Sequence, residues 1–144
     1  KITAFGGSEY NAVYRPDGQK IGFLKGGNLW EMNPDGTDQR KVSDEQMNGF
    51  KYAPDGKHIL FIRDVKYGEK ANEKYEDLPR TEAKIIDNLM YRHWNSWDDM
   101  ANSNIFIAQY SNGKLITKAT NIMNEPFDSP LNPFGGMEQI ALPT

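Results

Sequence analysis

A ten-residue pattern occurs twice in this chain, and it limits the possible folds more than any other feature. Tyr14-Arg15-Pro16-Asp17-Gly18-Gln19-Lys20-Ile21-Gly22-Phe23 aligns with Tyr52-Ala53-Pro54-Asp55-Gly56-Lys57-His58-Ile59-Leu60-Phe61, an offset of 38 residues. A β-propeller blade repeats at about 40–45 residues. The chemistry of the repeat is that of a hairpin. Proline presets φ at the first turn position, aspartate bonds its own backbone, and glycine takes a positive φ. Strands are expected on both sides, Ala12 to Arg15 and Lys20 to Lys25. Gly26-Gly27 makes the next turn, and Asn28-Leu29-Trp30-Glu31-Met32-Asn33 reads as a third strand. Pro34-Asp35-Gly36-Thr37 turns into a fourth at Arg40-Lys41-Val42-Ser43. Four short antiparallel strands joined by tight turns make one blade.

The second copy opens at Gly49-Phe50-Lys51-Tyr52, and its first hairpin ends near Arg63. An interruption follows from Asp64 to Ser103. Asn104-Ile105-Phe106-Ile107-Ala108-Gln109-Tyr110 then mirrors Asn28 to Asn33. Asn112-Gly113 is the next turn and Lys114-Leu115-Ile116-Thr117 the expected fourth strand. A third copy opens at Met137-Glu138-Gln139-Ile140-Ala141. The expected class is all-β: a partial β-propeller of about two four-stranded antiparallel blades with a partly helical insertion. The first blade is placed at residues 9–44, and the second at 49–118 with the insertion at 64–103. A third begins at 137–144. Two blades cannot close a ring and protect their edges, so this segment is expected to belong to a longer protein.

Inside the insertion, Lys66 to Tyr75 is charged and reads as an exposed loop or short helix. Thr81-Glu82-Ala83-Lys84-Ile85-Ile86-Asp87-Asn88-Leu89-Met90 can form a helix with Ile85, Ile86, Leu89 and Met90 on one stripe. Tyr91-Arg92-His93-Trp94-Asn95-Ser96-Trp97-Asp98-Asp99 then concentrates aromatic and charged residues. Long loops in compact folds are usually functional or disordered, and an aromatic-rich one is a poor candidate for disorder. Tyr91, Arg92, His93, Trp94 and Trp97 are the candidate substrate-binding residues. Alternatively, Tyr91, Trp94 and Trp97 pack the insertion onto its blade, and Arg92 pairs with Asp98 or Asp99.

Several chemistries find no support. The chain has no cysteine, which removes disulfides, thiol catalysis and cysteine–zinc sites. Its two histidines, His58 and His93, have no metal-ligand spacing; His58 follows a turn and is expected at the surface. Asp98-Asp99 and the Asp-Gly turns do not form a calcium loop. Gly6-Gly7-Ser8-Glu9 lacks the G-x-S-x-G of a hydrolase nucleophile. No cofactor or metal is expected, and no complete catalytic site. A net charge of −3 gives no basic footprint for nucleic acid. No apolar run approaches the about 18 residues of a membrane span, and no signal-peptide h-region follows Lys1.

The Pro-Asp-Gly-x-x-Ile-x-Phe repeat, followed by Gly27-Asn28-Leu29-Trp30-Glu31-Met32-Asn33-Pro34-Asp35-Gly36-Thr37, resembles the blades of TolB-type (PD40) propellers. It equally resembles those of the prolyl oligopeptidase (S9) family of serine peptidases. Two segments favour the peptidases. Ile85 to Trp97, with its Arg92-His93-Trp94, resembles dipeptidyl peptidase V-like and acylaminoacyl-peptidase-like members. So does Pro126-Phe127-Asp128-Ser129-Pro130-Leu131-Asn132-Pro133-Phe134-Gly135-Gly136-Met137-Glu138. The likeness runs from about Ile2 to Ala141. It departs at Leu142-Pro143-Thr144, where an aromatic-Ser-Pro-Asp-Gly is expected, and the acidic pair that holds a peptide's free amine in some members has no match.

The resemblance implies a secreted or periplasmic serine exopeptidase acting on short peptides. Its catalytic triad would lie outside this chain, in a C-terminal α/β-hydrolase domain. The propeller caps the active site and gates entry, with Arg92 placed to bind a substrate carboxylate or carbonyl. The alternative is a non-enzymatic TolB-like propeller that binds protein or glycan partners.

Overall fold

The computed structural model describes residues 8–81, 83, 85, 92–93, 96–97 and 101–128. Two antiparallel sheets follow one another along the chain. The first has β1 (Glu9–Tyr14), β2 (Ile21–Lys25), β3 (Asn28–Met32) and β4 (Arg40–Lys41), in the order β1-β2-β3-β4. The second starts with β5 (Gly49–Tyr52) and β6 (His58–Lys66). Next come a short helix α1 (Ala71–Lys74) and a two-stranded hairpin of β7 (Arg92–His93) and β8 (Ser96–Trp97). The second sheet resumes with β9 (Ala101–Ser111), β10 (Lys114–Leu115) and β11 (Thr120–Asn121). Its order is β10-β9-β6-β5, with β11 also paired to β9. The chain is thus an all-β partial propeller.

The repeat is preserved at the turns in backbone conformation and in the bond from the backbone to the aspartate. Asp17 Oδ1 accepts from the backbone N of Gln19 at 3.0 Å, and Asp55 Oδ1 from that of Lys57 at 2.8 Å. The glycines that follow have positive φ, 70° at Gly18 and 64° at Gly56, where a Cβ would be strained. The register repeats too. Phe23 faces Trp30 across β2 and β3, and Phe61 faces Phe106 across β6 and β9.

Side-chain alternation divides the apolar residues into three layers. The main core is the seam between the sheets. Leu24, Leu29, Val42 and Met47 come to it from the first sheet and its outgoing connection. Phe50, Tyr52, Ile59, Phe61, Phe106, Ala108 and Tyr110 come from the second. Phe61 and Phe106 stack there with centroids 5.5 Å apart. On the first sheet's other face lie Ile21, Phe23 and Met32 with Trp30, and on the second sheet's lie Ala53, Leu60 and Ile105 with Ile107 and Met123. Ile21 and Phe23 are the repeat equivalents of Ile59 and Phe61, which face the seam. The sheets therefore stack in the same sense, as successive propeller blades do. Gly22 permits the approach: a Cβ there would lie 2.4 Å from the Tyr52 hydroxyl and 2.9 Å from Phe50 Cζ.

Three expectations change. The β6–β9 ladder runs for nine pairs, from His58↔Gln109 to Lys66↔Ala101, so the excursion between the strands spans 67–100 rather than 64–103. Pairing satisfies backbone groups whatever the side chains, which carries the polar residues Asp64, Lys66 and Ser103 into the sheet. The fourth strand of the second blade is not Lys114–Thr117. Thr120↔Ile107 and Asn121↔Phe106 repeat Arg40↔Glu31 and Lys41↔Trp30, so β11 occupies the position of β4. β9 overruns β3 at its end, and Lys114–Leu115 pairs only with that overrun. The helical content described in the insertion is α1, within the charged Lys66–Tyr75 stretch. Of the helix expected at Thr81–Met90, Thr81, Ala83 and Ile85 belong to no element, and the others lie outside the described residues. So do Gly135-Gly136 and the third-blade start at 137–144.

Candidate functional site

Antiparallel order fixes which turns share an end of the molecule. The Pro-Asp-Gly turns and Asn112-Gly113 lie at one end. The Gly26-Gly27 turn, the inter-blade connection after β4 and the root of the insertion lie at the other. At that second end the connection folds over the turn. Met47 N donates to Gly27 O at 2.7 Å, and Arg63 Nη1 reaches Glu45 Oε2 at 2.5 Å.

The root of the insertion is built on Asn104, which is fully buried. Its Oδ1 accepts from the Tyr67 hydroxyl and from Asn121 Nδ2, the latter at 2.8 Å. Its Nδ2 donates to the carbonyls of Ser103 (3.0 Å), Phe127 (3.1 Å) and Glu125 (3.2 Å). Both ends of the amide are therefore satisfied, as burial demands. Beside it, Ser103 N donates to Asp128 Oδ1 at 2.8 Å. The repeat equivalent in the first blade is Asn28, whose Nδ2 donates to the carbonyls of Asp44 (3.1 Å) and Glu45 (3.2 Å). In both blades an asparagine at the same repeat position of the third strand holds the segment that leaves the fourth. Only Asn104 also receives a bond from the insertion.

Beyond Tyr67, Lys66 Nζ meets Glu73 Oε2 at 2.5 Å, and the same oxygen accepts from Lys70 N at 2.9 Å. These contacts, Lys66 first, hold the Glu73 carboxyl below its ordinary value. Ala71 N donates to Ala83 O at 2.9 Å, which closes this part of the insertion on itself. Of the five candidate residues, Arg92, His93 and Trp97 lie in the β7–β8 hairpin, with Arg92 paired to Trp97 and His93 to Ser96. Tyr91 and Trp94 lie outside the described residues.

A second polar cluster sits in the seam. Glu31 is fully buried. Its Oε1 accepts from Tyr52 Oη at 2.7 Å and Tyr110 Oη at 2.5 Å, and Arg40 Nη2 lies 3.6 Å from its Oε2. Burial, reinforced by the Glu31 charge, pushes the Tyr52 phenol well above its ordinary value. Burial and the bond to Glu31 raise that of Tyr110. Both phenols stay protonated and donate. Arg15 Nη1 extends the chain to Tyr110 Oη at 3.1 Å. The cluster joins blade to blade and is enclosed.

Sequence reasoning passed over Glu31, Tyr67 and Asn104. The mirrored Asn28 and Asn104 were a usable signal, whereas Glu31 has no counterpart, since Ile107 takes its place. His58, half-exposed as its position suggested, lies with Nδ1 2.6 Å from Asp55 Oδ2 inside its own turn. Among the described residues no group of three or more His, Asp or Glu could hold a metal ion. No helix among them is long and apolar enough to cross a membrane.

No protein-family model matches the chain. Dipeptidyl-peptidase 5 of Porphyromonas gingivalis is 35% identical over 147 residues, covering 98% of this chain and 21% of that protein. Dipeptidyl-peptidase 5 of Porphyromonas endodontalis is 30% identical over 132 residues, covering 88% of this chain and 19% of that protein. The acylaminoacyl peptidase of Pyrococcus horikoshii has a similar fold, with a TM-score of 0.54 over 80% of this chain and 18% of that one. At 14% identity this is a likeness of fold alone. The resemblance to dipeptidyl peptidase V-like and acylaminoacyl-peptidase-like members of the S9 peptidases is therefore borne out, and the chain spans about a fifth of the length of the curated relatives it matches.

Proposed function

We propose, from the premise that this chain is similar over most of its length to a segment of two dipeptidyl-peptidase 5 proteins, that it is the substrate-gating propeller portion of a secreted or periplasmic serine exopeptidase. The catalytic triad lies outside it, in a C-terminal α/β-hydrolase domain, and the substrates are short peptides. One observation carries this reading. Similarity to the P. gingivalis peptidase covers 98% of the chain, which leaves no room for the loss of a segment as long as 67–100. The insertion therefore has a counterpart in a peptidase, which a generic propeller would not require.

In this reading the β7–β8 hairpin faces the cavity through which peptides pass. Arg92 offers a planar fork that suits a substrate carboxylate, and Tyr91, Trp94 and Trp97 offer apolar surface beside it. His93 completes the group. Their removal weakens substrate binding rather than chemistry, so Arg92→Ala raises KM with kcat nearly unchanged.

The test is the intact mass of the native gene product together with labelling by a fluorophosphonate serine-hydrolase probe. The expected product is about five times heavier than 16.4 kDa, given the one-fifth coverage, and it labels. A heavy product that does not label overturns the peptidase reading and leaves a non-enzymatic, TolB-like propeller that binds protein or glycan.

A further inference from the structure

The root of the insertion differs from the matching corner of the first blade in the bonds its asparagine accepts, from Tyr67 and from Asn121. Asn28 and Asn104 both hold the outgoing segment of their blade through backbone carbonyls. Asn104 alone also accepts the hydroxyl of Tyr67, the first residue of the insertion beyond β6. Tyr67 Oη is approached as well by Asn121 Nδ2 at 3.4 Å, on the strand in the fourth position. One side-chain amide thus joins three segments: the outgoing limb of the insertion, β11, and the stretch 125–127 after it.

We propose that the Tyr67–Asn104 bond is a latch that positions the insertion on its blade. Tyr67 is a positioning residue: it holds the first limb of the insertion, which Lys66–Glu73 and Ala71–Ala83 close on itself, against the blade without itself touching a ligand. The geometry favours such a role. A segment of 34 residues, 67–100, leaves the sheet between two strand ends, and Tyr67 is the first residue that the ladder no longer holds. Asn104 is immobile because its amide is bonded at both ends and fully buried. The consequence for substrate binding rests on the peptidase reading above; the positioning itself does not.

The experiment compares Tyr67→Phe with Asn28→Ala in the full-length gene product. Tyr67→Phe removes one hydroxyl and keeps the ring, and Asn28→Ala removes the equivalent carbonyl bonds of the other blade. Limited trypsin digestion reads the insertion directly, since Lys70, Lys74, Arg80, Lys84 and Arg92 lie within it. Loss of one hydrogen bond to a buried acceptor is expected to speed cleavage inside 67–100 roughly tenfold in Tyr67→Phe. Cleavage there stays at the wild-type rate in Asn28→Ala. For a dipeptidyl substrate, KM rises several-fold in Tyr67→Phe while kcat stays within about twofold. Unchanged cleavage in Tyr67→Phe, or equal acceleration in both variants, overturns the latch. Accelerated cleavage in Tyr67→Phe alone supports the latch, and an unmoved KM beside it in an active enzyme defeats the placing of peptide binding in the insertion. A wild-type product with no dipeptidyl activity defeats the functional reading instead, and the cleavage comparison alone then decides the latch.

Discussion

The two blades are built alike at one end and differently at the other. At the Pro-Asp-Gly end, the turns match in their Pro-Asp-Gly residues, in glycine conformation and in the backbone bond to the aspartate. At the opposite end, the second and third strands are joined by Gly26-Gly27 in one blade and by 34 residues, 67–100, in the other. The ladder does not register the difference, since Phe23↔Trp30 and Phe61↔Phe106 hold the same place. Closing the longer connection costs only about 2–3 kcal/mol more, because closure entropy grows with the logarithm of length. The longer ladder compensates: nine β6–β9 pairs stand against five between β2 and β3. A blade can therefore take on a large excursion at this corner without losing its register. The same tolerance makes the corner a place where function can be added to a repeated scaffold.

The comparison can be broken most severely in the seam. Glu31 faces two phenols of the second blade, while its equivalent Ile107 is partly exposed on the far side of that blade. Glu31→Ala strands both buried phenols without an acceptor and is expected to lower stability by about 3 kcal/mol, against about 1 kcal/mol for Ile107→Ala. Denaturant unfolding of the full-length product reads both, and equal effects would mean that the cluster is not what joins the blades. Glu31→Gln, which keeps one acceptor oxygen, recovers part of the loss.

Gly22→Ala is next in size. Its Cβ would enter the space of the Tyr52 hydroxyl and Phe50 ring, so about 1–3 kcal/mol is expected from overpacking. Pairing it with Tyr52→Phe sharpens the result. The double variant recovers part of the loss if the hydroxyl is the obstacle, and melting temperatures of the four species show whether it does.

The smallest effects belong to the end where the blades agree. Asp17 is held below its ordinary value chiefly by Arg15, and Asp55 chiefly by the backbone N–H of Lys57, with His58 next. A carboxyl depressed on folding adds stability above its unfolded value, about 3.9, and loses it as pH falls through the folded one. Asp17→Asn and Asp55→Asn should therefore melt slightly below wild type near neutral pH and converge with it below about pH 4. A gap that persists in acid would assign the loss to turn geometry rather than charge.

How much was legible follows from these residues. Short-range chemistry was: proline, aspartate and glycine at fixed spacing specify a turn wherever they occur, and Ile59-Leu60-Phe61-Ile62 can only be buried on both faces. β11 was not, because Thr120 and Asn121 carry no strand signal of their own and pair only because β9 offers a free edge. The ends of the insertion were misjudged by three residues on each side, since charged residues extend a ladder already under way. For the candidate site, Arg92 and Trp97 stood out by composition, and the structure adds that their backbones pair across a hairpin.

The sequence alone determined the repeat, the turn chemistry and the strand order of the first blade, because each rests on residues a few positions apart. Tertiary structure decided what joins the pieces. Glu31 meets Tyr110 across 79 residues, and Tyr67 meets Asn104 across 37. No local pattern encodes such contacts. They exist because stacked sheets enclose polar groups, and an enclosed polar group must find a partner wherever the fold brings one.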